Sequence, residues 1–150
     1  MTTTTTDHEA IAQLISRFFR FMDERRFAGA WAADYFTEDI RMEAPAATAE
    51  DAATAQRLVT EALERFARTQ HISADVLTRV DTAAGTATAS WNALMTHIHP
   101  EGAAAQGAFT VGGHCTADLR RTPEGWRFRS LSIAPVWTTG TPPVLPSPVR

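Results

Sequence analysis

Apolar residues recur at Ile11, Leu14, Ile15, Phe18 and Met22, the 3.6-residue period of a helix that packs on one side. Thr6 and Glu9 stand just ahead of that series at capping-box spacing, where each side chain can take up a free backbone N–H of the first turn. The pattern predicts a helix from Asp7 to about Arg25. A second, shorter helix is expected from Phe27 to Tyr35, which places Trp31 and Tyr35 one turn apart. Asp39 to Ala44 then reads as a short strand ended by Pro45. Glu50 to Ala67 is rich in helix formers and carries Leu58, Val59, Ala62, Leu63 and Phe66 on one stripe, so a third helix is expected there.

From Thr69 onward the character changes. Three segments rich in Val, Thr, Trp, Phe and Ile are set off by turn signals at Ala84-Gly85, Pro100 to Gly107 and Pro123 to Gly125, the pattern of an antiparallel meander. Helices first and strands afterwards predict an α+β fold in one domain spanning residues 1–150. The expected architecture is a cone, a curled antiparallel sheet packed on three N-terminal helices around an apolar pocket. Gly112-Gly113 is a natural place for a bend or bulge. The threonine run over residues 1–6 reads as a disordered leader. The segment 138–150, with its four prolines, reads as an extended arm or a lid.

Composition narrows the functions. A formal charge of -3 and a pI near 5.9 give no electrostatic drive onto nucleic acid. Every basic position is arginine and none is lysine, which leaves no amine for Schiff-base chemistry. Cys115 is the single cysteine, so no intrachain disulfide is expected. No apolar run approaches the roughly 20 residues that cross a bilayer. The expectation is a soluble, cytoplasmic protein with a small-molecule substrate and with neither nucleic-acid nor membrane partners.

Strand alternation puts Trp91, Ala93, Met95 and His97 on one face, and Ser73 on the face of His71. Asp23 falls at the carboxyl end of the first helix, where the helix dipole disfavours a carboxylate. An acid in so costly a position implies a partner elsewhere.

These residues carry a resemblance. Arg68-Thr69-Gln70-His71 resembles the run that opens the long sheet strand of scytalone dehydratase, and His97 falls at the spacing of that family's second active-site histidine. Asp23, followed four residues later by Phe27, is similar to the family's catalytic aspartate with its following aromatic. Gly125-Trp126-Arg127-Phe128 and Leu131 to Trp137 follow its last strand, and the likeness runs from Phe21 to Trp137 apart from the loop between Thr37 and Ala55. More broadly the chain resembles SnoaL-like members of the nuclear transport factor 2 superfamily. The resemblance implies a cone-shaped fold and a cofactor-free dehydratase, isomerase or cyclase acting on a small cyclic hydroxy-ketone of the polyketide kind. It also implies a homodimer or homotrimer. Met22 and Ala44 stand where the dehydratase has two tyrosines that hold a water against the substrate carbonyl.

On this reading His71 and His97 transfer protons, and Asp23, hydrogen-bonded to His97, fixes its tautomer and favours the imidazolium. Trp91, Met95 and Trp137 shape the pocket. Tyr35, Asn92, Ser90 and Thr116 are candidates for polar substrate contacts, and His114 either lines the pocket or lies outside at a subunit contact. His8 and His99 are expected to be exposed. Two other readings fit the same residues. Trp31, Trp91, Met95, Phe109 and Trp137 could bind a ligand without chemistry. His97, His99 and His114 could hold a metal. Epoxide hydrolysis would need paired carboxylates with an arginine, a set not found in the chain.

Overall fold

The computed structural model describes residues 5–45 and 47–144. Helix α1 runs Asp7–Glu24 and opens on the expected capping box, with Thr6 and Glu9 each satisfying the other's backbone N–H. Thr6 is therefore held at the start of α1 rather than being part of a loose leader; residues 1–4 lie outside the described residues. The inward face of α1 buries Ile11, Leu14, Ile15, Phe18, Phe19 and Met22. Burial of each such side chain contributes roughly 1.5 to 3 kcal/mol.

The expected helix from Phe27 to Tyr35 does not form. Arg25 closes α1 in the left-handed region at φ 58° and Gly29 follows at φ 80°, so the backbone turns twice where a helix would have to continue. Only one 3₁₀ turn, Ala32–Asp34, remains. The Gln56 side chain holds this segment, accepting from the Ala32 N–H at 2.9 Å and donating to the Gly29 carbonyl at 2.8 Å.

Strand β1 spans Phe36–Ala44, three residues longer than the alternation predicts, and a short β2 follows at Ala47–Ala49. Helix α2 spans Ala52–Glu64 and starts at Asp51, whose carboxylate accepts from the Thr54 N–H at 2.7 Å. Four long strands complete the chain: β3 Arg68–Asp81, β4 Thr86–Ile98, β5 Ala108–Thr122 and β6 Gly125–Gly140. The meander thus has four strands where three segments were expected.

The six strands make one sheet in the order β2-β1-β6-β5-β4-β3. It is mixed rather than antiparallel, because β1 returns beside β6 in parallel. The fold is α+β as expected, with two α-helices and a 3₁₀ turn in place of three helices. On β4, Ala87, Ala89, Trp91, Ala93, Met95 and His97 all point inward. The concave face of the curled sheet meets α1 and α2 over this stripe.

The β5 and β6 registers slip between Gly112 and Gly113, at the expected bulge. The slip pairs Gly113 with Pro135 but Gly112 with Trp137, and leaves Val136 as the extra residue. That single insertion reverses the parity of β6 beyond Pro135. Trp137 therefore lies over Gly112 on the outer face, half exposed. The segment expected to be a tail from Thr138 onward instead continues β6 to Gly140 and then passes the end of β4, where the Thr141 carbonyl meets His99. Residues 145–150 lie outside the described residues.

Candidate active site

Asp23 reaches off the last turn of α1 onto the first residues of β3. One carboxylate oxygen accepts from the His71 backbone N–H at 2.8 Å. The other accepts from the Thr69 hydroxyl at 2.9 Å and from His71 Nδ1–H at 2.6 Å. Three donors thus offset the unfavourable helix end. Burial alone would raise the Asp23 pKa, but the ring and backbone bonds from His71, its charge and the Thr69 hydroxyl outweigh it and hold the carboxyl below its ordinary value.

A carboxylate can only accept, so Nδ1 of His71 carries the hydrogen of this bond, and in the neutral ring that tautomer puts the lone pair on Nε2. The His71 side chain is 3 % exposed and lines a cavity of about 230 Å³. Phe19 packs edge-on against its ring at 5.6 Å.

His97 enters the same cavity from β4, its ring 5.7 Å from that of His71 and nearly perpendicular to it. Asp23 orients His71 and not His97, contrary to the sequence expectation. The partner of His97 is the backbone carbonyl of Phe109, which accepts from Nδ1–H at 3.0 Å. Burial between Phe66 and Phe109 is the main cause that lowers the His97 pKa, with the neighbouring His71 acting in the same sense. The neutral imidazole, with Nε2 unprotonated, is the favoured form.

Apart from Arg65, the remaining lining is apolar. Phe18, Phe19, Met22 and Met42 come from α1 and β1, Leu58, Leu63 and Phe66 from α2 and its exit, and Met95, Phe109, Val111, Leu131 and Ile133 from the sheet. Met22 and Ala44 both line the cavity, so no hydroxyl stands at either position. The volume is below the roughly 300 to 1,000 Å³ of drug-sized sites, which fits a ligand of one or two rings.

The sheet separates the other candidates from this cavity. Asn92, His114 and Thr116 face outward and are exposed; Asn92 pairs with Asp75 at 3.1 Å. Alternation on β4 already opposes Asn92 to Trp91. Ser90 likewise lies on the outer face, beside Thr116 in the β4-β5 pairing. Trp137 is outside for the register reason given above. Tyr35 packs against Phe18 and Phe21, each at 5.2 Å, in an aromatic cluster with Trp31 away from the cavity. Trp91 is 1 % exposed and forms the floor beneath Phe19 rather than the cavity wall. Of the predicted pocket residues Met95 alone joins the histidines there, with Phe109 from the binding-only set.

His8 is exposed as expected, but His99 is buried at 7 %, stacked on Phe66 and bonded through Nε2 to the Thr141 carbonyl at 2.6 Å. His97 and His99 face inward while His114 faces outward, so these three cannot converge on one ion. Among the described residues no group of three or more His, Cys, Asp or Glu side chains is gathered to hold a metal. Sequence reasoning missed Thr69, although its place two residues before His71 puts it on the same strand face. It also missed Arg65 at the end of α2, which is among the residues that line the cavity.

A family model described as a SnoaL-like domain matches residues 3–132. A search of curated proteins finds no match. Solved structures share the fold. A provisionally named scytalone dehydratase from Novosphingobium aromaticivorans has a TM-score of 0.77 at 16 % identity, covering 94 % of this chain and 93 % of that one. A type 2 hexachlorocyclohexane dehydrochlorinase, LinA, has a TM-score of 0.74 at 17 % identity over 93 % of each chain. A provisionally named dehydratase of the NTF2-like family from Streptomyces avermitilis has 0.75 at 19 % identity, covering 89 % of this chain and 99 % of that one.

Proposed function

Because this chain belongs to the SnoaL-like domain family, we propose that it is a cofactor-independent acid-base enzyme that eliminates, isomerises or cyclises a small cyclic hydroxy-ketone. The observation that carries the proposal is the 2.6 Å bond between Asp23 and His71 at the edge of an apolar cavity. A base beside a carbonyl must take a carbon-bound proton, and a buried lone pair backed by a carboxylate is suited to that step.

In the elimination, His71 Nε2 takes the proton next to the carbonyl and the C–H electrons become the enolate. Asp23 stabilises the imidazolium that forms. The enolate then expels the β-hydroxyl, which leaves as water with the proton that His71 returns, so one imidazole serves as base and acid in turn. His97, favoured neutral, accepts a hydrogen bond from the substrate hydroxyl and holds it near His71. The dehydratases and the dehydrochlorinase of the same fold support elimination over the other two outcomes. A place in polyketide-type secondary metabolism, in the cytoplasm, belongs to the same proposal, as does a homodimer or homotrimer.

The test needs no knowledge of the natural substrate. In D2O, wild-type protein is expected to exchange the acidic ring protons of 2-tetralone, read by proton NMR, while Asp23→Asn and His71→Ala fall by roughly a hundredfold or more. If wild type and both variants exchange at the buffer rate while still binding the ketone, the protein is a small-molecule binder of this fold instead.

A further inference from the structure

The cavity is short of hydrogen-bond donors. Among the described residues that line it, only Arg65, His71 and His97 have polar side chains. Each imidazole already commits its Nδ1 hydrogen, one to Asp23 and one to the Phe109 carbonyl. In the neutral forms that a resting base requires, both Nε2 atoms can only accept. A carbonyl oxygen entering the cavity also only accepts. The two histidines therefore have nothing to offer it.

Arg65 has the opposite capacity. Its guanidinium carries five donors, no acceptor and a permanent charge. The residue is the C-cap of α2, half-buried, at the helix end where the dipole favours a cation. None of the ion pairs among the described residues takes it up. Its neighbour in sequence, Phe66, stacks on His97 at 4.6 Å, which ties the α2 exit to the catalytic histidines.

We propose that Arg65 is the electrophile of this site: it holds the substrate carbonyl oxygen and the enolate oxygen that forms when His71 removes the adjacent proton. This rests on the acid-base reading above and adds to it the polarising group and the substrate class. The substrate is a small ring with an enolisable carbonyl whose oxygen points to the α2 end of the cavity. No bond forms to Arg65; the C–H electron pair ends on that oxygen as negative charge, which the guanidinium meets in poorly screened apolar surroundings.

The probe is 4-nitrophenol, whose coloured phenolate mimics a ring enolate. Wild-type protein is expected to bind the phenolate in preference to the phenol, seen as a rise in the visible absorbance on binding at slightly acidic pH. Arg65→Met should lose roughly tenfold to a hundredfold in phenolate affinity while affinity for uncharged 4-nitrotoluene stays unchanged. Arg65→Lys, which keeps the charge, should fall between the two and covers the case in which the methionine variant does not fold. His71→Ala should keep the phenolate preference while losing exchange of 2-tetralone. Phenolate binding as tight in Arg65→Met as in wild type overturns the proposal. Phenolate binding that depends on Arg65 in a wild-type protein unable to exchange 2-tetralone overturns the acid-base reading instead, and leaves the anion site standing.

Discussion

At the residue scale few polar side chains line the cavity, and what each already touches decides what it can do there. Burial lowers the His97 pKa below the ordinary 6.5, so the unfolded chain binds that proton at higher pH than the native one. The unfolded state therefore carries more protons as pH falls through that range, and stability falls with it. Asp23, also held below its ordinary 3.8, acts in the same sense at lower pH: its contribution is present above that value and is lost as the native carboxyl is protonated. The urea midpoint is expected to drop between about pH 7 and pH 5, and His97→Gln should flatten that part of the curve; a slope unchanged in the variant would assign it elsewhere. Asp23 was legible because a carboxylate at a helix end needs donors, and His71 through the resemblance of the run Arg68 to His71 to the opening of a known sheet strand. The sequence could not show which histidine Asp23 meets, since the competitor at His97 is the Phe109 backbone carbonyl, an acceptor present at every position.

At the element scale α2 has a function beyond packing. Within Ala52–Glu64 only Ala55 and Leu63 are buried, while Leu58 and Val59 remain half-exposed because they face the cavity. A ligand in the cavity would complete that packing. Asp51→Ala removes the N-cap and is expected to speed amide hydrogen exchange in α2 roughly fivefold, and saturating 4-nitrophenol should slow it again; exchange indifferent to the ligand would mean that α2 is not a wall of the binding site. Gly112 marks the other decisive element. A β-carbon there would fall inside the Trp137 indole, so Gly112→Ala should displace the ring into solvent, red-shift the tryptophan emission and lower Tm, with the Trp137→Ala background removing most of the loss. The helices α1 and α2 were readable from their period and caps. The false helix at Phe27 to Tyr35 arose because Trp31 and Tyr35 have helical spacing, while the left-handed backbone at Arg25 and Gly29 gives no hydrophobic signal. Trp137 was misplaced for a related reason: the bulge opposite Gly112-Gly113 reverses the faces of β6 and gives no hydrophobic signal of its own.

At the scale of the whole molecule the sheet separates the face that lines the cavity from a face that is open to solvent. Ile72, Leu77, Leu94, Val136 and Trp137 are all exposed on or near its convex face, more apolar surface than scattered side chains provide. With the homo-oligomer proposed above, sedimentation should give two or three times the 16.4 kDa monomer mass, and Leu94→Arg should shift it toward the monomer; a wild-type monomer at high concentration would remove that part of the proposal. The order of helices before strands was enough to infer the α+β cone, whereas the parallel return of β1 beside β6 is a long-range pairing that no local pattern encodes. The claim on which the chemistry depends is that His71 turns an unprotonated Nε2 into the cavity. Nitrogen-15 NMR of labelled histidines at neutral pH tests it directly. The expected spectrum has the His71 proton on Nδ1 and Nε2 at the shift of a bare imidazole nitrogen, with that preference lost in Asp23→Asn. A His71 signal protonated on Nε2 in the wild-type protein would contradict it.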